Sequence, residues 1–204
     1  ATPLFLADIH KQNYDDLMLR VPSPMDPSVP IGRDDRDNVV IDSWGKLPEF
    51  DFEPKSHVML GDELDLMDIE RGVKLSGTRF YFLKNEGTLL ELAVMRYALD
   101  FLINRGFTPL TVPVLVREHA MMGTGYFPGG EDQAYKIKDD DLYLVGTAEV
   151  SLASYHYDEI LDKSHLPIKS VAWSNCFRRE AGTYGKDTHG LYRIHQFMKV
   201  EQVI

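Results

Sequence analysis

The sequence is short of cysteine, of long apolar runs and of positive charge, and each shortage removes a class of answer. Its 204 residues hold one cysteine, Cys176. That excludes an intramolecular disulfide and a multi-cysteine zinc site within them. A single thiol fits a reducing compartment, so the expected location is cytoplasmic. No apolar run approaches the ~18 residues that span a bilayer, so no membrane attachment is expected. The first residues carry no secretory leader pattern. A formal net charge of −10 argues against a general nucleic-acid-coating surface, while leaving room for a local basic patch that reads a shaped RNA. No internal repeat and no low-complexity tract is visible. What is present, 44% hydrophobic and 26% charged residues, suits a globular chain with one sizeable domain and a short extension.

Proline marks the organisation. Residues 1–50 read as an N-terminal segment: a helix after Pro3, then an extended connector with Pro22, Pro24, Pro27 and Pro30, which neither helix nor sheet tolerates. Residues 32–37, charged throughout after Gly32, read as a solvated turn, and Val39–Trp44 alternates well enough for a short strand. Residues 51–204 read as the main domain. Helix is expected over His57–Arg71, strand over Gly77–Leu83, and a long helix from Thr88 to about Asn104. Thr88 and Glu91 have the spacing of a capping box, and Leu89, Leu90, Ala93, Tyr97, Phe101 and Leu102 form a stripe read as core. Phe107–Val116 is strand-like, with Pro109 and Pro113 pointing to an edge or an interface. Gly123–Gly130 fits neither nucleotide-loop fingerprint and reads as a surface loop. A short strand over Leu142–Gly146, a helix over Val150–Leu161 and a strand over Ile168–Glu180 follow. Intermingled elements ending in a hairpin give an α+β class around a mainly antiparallel sheet flanked by helices.

The chemistry gathers in that hairpin. Alternation puts Arg178 and Glu180 on one face of the first strand, and Arg193, Phe197 and Glu201 on one face of the second. At about 3.3 Å per residue, Arg178 and Glu180 stand roughly 6.6 Å apart, and Phe197 lies roughly 13 Å from both Arg193 and Glu201. Two arginines, two carboxylates and one aromatic do not make a core face. They suit a nucleotide laid across the sheet, with an aromatic under the base, a carboxylate at an exocyclic amine and arginines on phosphate oxygens. Cys176 shares the face of Arg178 but has no base placed to activate it, so it reads as inert packing. His195 reads as structural. Lys186 and His189, in the glycine-bearing connection, are equally open to phosphate or RNA contact and to plain solvation.

Arg178-Arg179-Glu180 followed by Arg193-Ile194-His195-Gln196-Phe197 resembles the second motif of class II aminoacyl-tRNA synthetases. Ala181-Gly182, Asp187-Thr188, Gly190-Leu191 and Lys199-Val200-Glu201 resemble the seryl-tRNA synthetases, of bacterial or organellar type. So do Thr147-Ala148-Glu149 and the connector Pro27-Ser28-Val29-Pro30-Ile31-Gly32. The likeness runs from about Asp16 to Ile204. It implies a class II catalytic domain of which these residues carry the first two motifs, and a serine–tRNA ligase that makes seryl-adenylate and passes it to tRNA(Ser). It implies L-serine, ATP, tRNA(Ser) and Mg²⁺ as ligands and a homodimer formed through the long helix and the Pro113 strand. The long tRNA-gripping arm and the third motif, with its ATP-binding arginine and metal-binding acid, would lie outside these residues, so no metal ligand is expected within them. By the same resemblance, Arg178 holds the α-phosphate, Glu180 takes the adenine amine, Phe197 stacks on the ring and Arg193 reaches the γ-phosphate. Thr147, Glu149 and Glu201 bind serine, Glu149 near its ammonium and Glu201 at its hydroxyl. Two other readings share this sheet: an amino-acid:carrier-protein ligase, against which a lone cysteine counts, and a non-catalytic paralogue.

Overall fold

The computed structural model describes residues 3–183 and 189–204, with side chains from residue 6 onward. The chain divides into two units, Ala1–Pro54 and Lys55–Ile204. In the first, helix α1 (Pro3–Met18) is followed by extended chain. The charged run forms a turn at Asp35–Asp37, capped by the Asp34 carboxylate accepting from the Arg36 N–H. The strand expected at Val39–Trp44 does not form: no neighbour pairs with it among the described residues, and Ile41 and Trp44 are 94% and 99% exposed.

In the second unit, α2 (His57–Glu63) starts at Ser56, whose hydroxyl accepts from the Met59 N–H. The expected single helix over His57–Arg71 is two. Asp65 adopts a left-handed φ of 53°, β1 (Met67–Asp68) intervenes, and α3 (Ile69–Ser76) starts afresh on the Asp68 carboxylate, which accepts from the Arg71 N–H. A cap that strong competes with helix continuation. The strand expected at Gly77–Leu83 shrinks to β2 (Phe82–Leu83), antiparallel to β1, because Arg79 turns left-handed at φ 66°.

Helix α4 (Asn85–Ile103) begins three residues before Thr88, so Thr88 is internal and no capping box forms. Its predicted core stripe is also misplaced. Leu89, Leu90 and Tyr97 are 64%, 63% and 72% exposed, whereas Glu91, Met95, Ala98, Leu99 and Leu102 form the half-buried side. Next come β3 (Thr108–Leu110), β4 (Leu115–Val116), α5 (Glu118–Gly123), β5 (Tyr135–Lys136) and β6 (Tyr143–Leu144). Helix α6 is confined to Glu149–Ala153, well short of the expected Leu161. The hairpin strands are β7 (Ser170–Phe177) and β8 (Gln196–Val203).

One sheet has the order β3-β7-β8, with β3 parallel to β7 at the edge, as Pro109 predicted, and β7 antiparallel to β8. The single strand expected over Phe107–Val116 is two, with Pro113 in the break between β3 and β4. A second sheet, antiparallel throughout, has the order β4-β6-β5. The Phe177 N–H donates to the Val145 carbonyl at 2.9 Å, stitching the second sheet to the end of β7. That stitch delivers Gly146 and Thr147 to the hairpin face. Met121, Phe127, Tyr143, Val145 and Val150 form the core beneath; a fully buried side chain of this size contributes about 1.5–3 kcal/mol. Phe127, 3% exposed, belongs to the segment read as a surface loop, which therefore anchors one ring in the core, with Tyr126 packed against it.

Candidate active site

The register Ala172↔Glu201, Ser174↔Lys199 and Cys176↔Phe197 puts these six residues on one sheet face, since directly paired residues point the same way. The ladder runs one step further, the Arg178 N–H donating to the His195 carbonyl at 3.0 Å. Arg178, Phe197 and Glu201 therefore lie along one surface, as alternation predicts. The strands themselves end sooner than expected, so Arg178, Glu180 and Arg193 stand on the chain just beyond them.

Arg178 is held on two sides. Its Nε donates to the Gly146 carbonyl at 3.2 Å, and its guanidinium carbon lies 5.2 Å from the Phe197 ring centroid. Among the described residues Nη1 and Nη2 have no hydrogen-bond partner. Glu180 Oε2 accepts from Arg193 Nη1 at 2.8 Å. A cavity of about 380 Å³ is lined by Arg178, Glu180 and Arg193 together with Tyr126, Gln133 and Phe177, a size in the range of small-ligand sites. A larger one of about 430 Å³, lined by Phe80, Tyr81, Glu91, Asn175, Phe197 and Met198, takes in the Phe197 ring but lacks the arginines.

At the other end of the face, Thr147 is 2% exposed. Its hydroxyl donates to Glu201 Oε2 at 2.6 Å and accepts from Lys199 Nζ at 2.9 Å, while Lys199 also pairs with Glu201. Burial pushes the Glu201 carboxyl up, but the bonds from Lys199 and Thr147 and the lysine charge outweigh it and hold it below its ordinary value. Glu149 is not drawn into this cluster by its side chain. It is exposed, and its backbone N–H donates to the Thr147 hydroxyl at 3.3 Å. Lys199 is the residue that sequence reasoning left without a role, although alternation puts it between Phe197 and Glu201.

Cys176 is fully buried and its thiol pKa is raised by that burial, which suits packing. His195 bonds the Arg178 carbonyl through Nδ1 at 2.8 Å; a carbonyl only accepts, so Nδ1 carries the proton. His189 is exposed, while Lys186, Asp187 and Thr188 lie outside the described residues. Among the described residues no three His, Cys, Asp or Glu side chains converge on a point that could hold a metal ion. No described helix is long and apolar enough to cross a membrane.

The family described as "tRNA synthetase class II core domain (G, H, P, S and T)" matches residues 135–204. A serine–tRNA ligase of Nocardia farcinica is 54% identical over 178 residues, covering 87% of this chain and 42% of its own length. One of Streptomyces avermitilis is 47% identical over 202 residues, covering 96% and 47%. The chain thus spans roughly half the length of these curated relatives. The crystal structure of the Pyrococcus horikoshii seryl-tRNA synthetase complexed with ATP superposes with a TM-score of 0.90 at 45% identity, covering 94% of this chain and 47% of that one. The cytoplasmic serine–tRNA ligase of Naegleria fowleri, in complex with AMP, gives 0.86 at 30% identity, covering 94% and 46%. In sequence and in fold the chain is thus similar to class II seryl-tRNA synthetases over most of its own length and about half of theirs.

Proposed function

We propose that the chain carries one wall of a serine–tRNA ligase site, which activates L-serine with ATP to seryl-adenylate and passes the seryl group to tRNA(Ser). The observation that carries this reading is the single face along which an anchored arginine, an aromatic ring and a Thr–Lys–Glu cluster around the buried Thr147 follow one another. Arg178 holds the α-phosphate through the two nitrogens that Gly146 leaves over, and offsets the charge that builds as serine's carboxylate attacks phosphorus. Phe197 stacks on adenine, Glu180 accepts from its amine and Arg193 meets the γ-phosphate. Thr147 and Glu201 take serine's hydroxyl, so alanine would leave a buried acceptor unpaired. Glu149 supplies a carboxylate for the ammonium. Mg²⁺ is proposed as the ion that accompanies ATP, and no step is assigned to it.

Residues 1–50 are proposed as the connector region and 51–204 as the catalytic portion, in a cytoplasmic protein. A twofold partner would cover the exposed face of α4, where Leu89, Leu90, Val94, Tyr97 and Phe101 stand out to solvent. Identities of 46–54% to serine–tRNA ligases support serine over the alternatives. The test is serine-dependent exchange of pyrophosphate into ATP, by the chain alone and by the chain joined to the C-terminal portion of the Nocardia farcinica relative. A folded joined protein that exchanges with no amino acid, or as well with another as with serine, sinks the proposal.

A further inference from the structure

Glu180 is the one proposed nucleotide-binding residue with a left-handed backbone, at φ 51°. Side-chain-bearing residues hold that conformation where their surroundings fix it. The structure shows what does so, and the residues come from far along the chain. On one side is Gln133. Its backbone carbonyl accepts from the Arg179 N–H at 2.9 Å. Its side-chain Nε2 donates to the Ala181 carbonyl at 3.0 Å, and its Oε1 accepts from the Ala181 N–H at 3.2 Å. Gln133 thus takes up the polar backbone groups flanking Glu180 after the hairpin ladder has ended.

On the other side is Arg79. Nη1 donates to Thr183 Oγ1 at 2.8 Å, and Nη2 to the Thr183 carbonyl at 2.9 Å. Thr183 Oγ1 in turn donates to the Glu180 carbonyl at 2.7 Å. The Arg79 carbonyl accepts from the His195 N–H at 3.3 Å, so Arg79 ties the outgoing turn to the returning strand. A guanidinium fork can make both Thr183 bonds at once; an ammonium has no such fixed geometry.

We propose that Gln133 and Arg79 are positioning residues that clasp the turn at Glu180 and so aim its carboxylate at the exocyclic amine of adenine. Their side-chain bonds run to the turn rather than to the Glu180 carboxylate, and Gln133 also lines the cavity. The inference rests on the reading of Glu180 given above. It implies that loosening the clasp costs adenine recognition in particular and leaves the phosphate contacts of Arg178 intact.

The experiment measures binding of ATP and of purine riboside triphosphate, which lacks the 6-amino group, to the 204-residue chain by equilibrium dialysis. One hydrogen bond to a carboxylate gives the wild type a preference for ATP of about tenfold or more. Gln133→Ala keeps the backbone bond to Arg179 and removes both side-chain bonds. The variant should lose most of that preference by weakening ATP about tenfold, with the analogue changed less than about twofold. Arg79→Lys should fall in the same direction. Melting temperatures check that each variant is folded; if Arg79→Lys fails to fold, Gln133→Ala carries the test. Equal weakening of both nucleotides, or an undiminished preference, overturns the clasp while leaving the reading of Glu180 standing. A wild type that binds the two alike, or binds neither, overturns that reading and the clasp with it.

Discussion

Arg178 and Arg179 are neighbours in sequence, equal in charge and opposite in fate, which makes their comparison the sharpest test of the site. Arg178 is half-buried, with Nε on the Gly146 carbonyl and its guanidinium beside Phe197. Arg179 is exposed, and its backbone N–H donates to the Gln133 carbonyl. A guanidinium ~4 Å from a developing phosphate charge, at an effective dielectric of ~20, interacts by about 4 kcal/mol. Loss of a preorganised donor of this kind removes about 10²–10³ in rate. A solvent-screened charge ~10 Å away is worth about 0.4 kcal/mol, or roughly twofold. In the joined protein, Arg178→Ala should therefore lower serine-dependent pyrophosphate exchange by about two to three orders of magnitude, and Arg179→Ala by less than about threefold. Arg178→Lys keeps the charge without the fork and should recover part of the loss. Melting temperatures unchanged across the three would assign the effect to the site. Equal losses at the two positions would show that the strand face was misread.

Thr147→Val keeps the shape of the side chain but removes both the donor to Glu201 and the acceptor for Lys199. We expect KM for serine to rise about tenfold, serine-over-alanine selectivity to fall and KM for ATP to stay within a factor of ~2. Glu201 has a depressed carboxyl value, so its contribution to stability is complete above the unfolded value near 4.5 and is lost as pH falls through the lower folded value. Glu201→Gln should accordingly flatten the acid limb of a melting-temperature profile below about pH 5, and an unchanged limb would refute the cluster. Gly72→Ala would place a Cβ 2.4 Å from Tyr81 Cα and 2.6 Å from the Phe80 carbonyl. Backbone atoms yield poorly, so chemical denaturation should show a loss of about 1–3 kcal/mol. Tyr97→Glu on the exposed face of α4 should shift sedimentation from dimer toward monomer; a wild type that sediments as a monomer at high concentration would refute the proposed contact.

The elements that could be read from sequence carried their own local instruction. The hairpin face was legible because period-two alternation fixes it whatever the rest of the chain does, and β7 and β8 pair in the register that alternation needs. Helix α4 was legible as a helix but not in its orientation. Leucines and valines occur on both sides of it, Leu89, Leu90 and Val94 on one and Met95, Leu99 and Leu102 on the other, so apolar spacing selects no single buried face. The break at Asp65 had a signal that went unused: Asp68, three residues before Arg71, is a helix N-cap in the middle of a supposed helix. Val39–Trp44 failed for the opposite reason. Its alternation is real, yet a strand exists through its neighbour, and no neighbour is supplied.

The same division runs through the site. Arg178, Arg193, Phe197 and Glu201 could be proposed from sequence because their spacing along the hairpin is local. Gln133 and Arg79 act on Ala181 and Thr183 across 48 and 104 residues, and no sequence period spans such a gap. Gly146 was hidden for a further reason: it holds Arg178 with a backbone carbonyl, which every residue possesses. What singles glycine out at that position is the space above it. A Cβ on Gly146 would lie 2.9 Å from the Tyr126 hydroxyl, and Tyr126 lines the same cavity as Arg178. The glycine is therefore required by the ring that packs against it rather than by its own conformation. An alanine there should displace Tyr126 and reshape the arginine end of the cavity while leaving the carbonyl bond to Arg178 available.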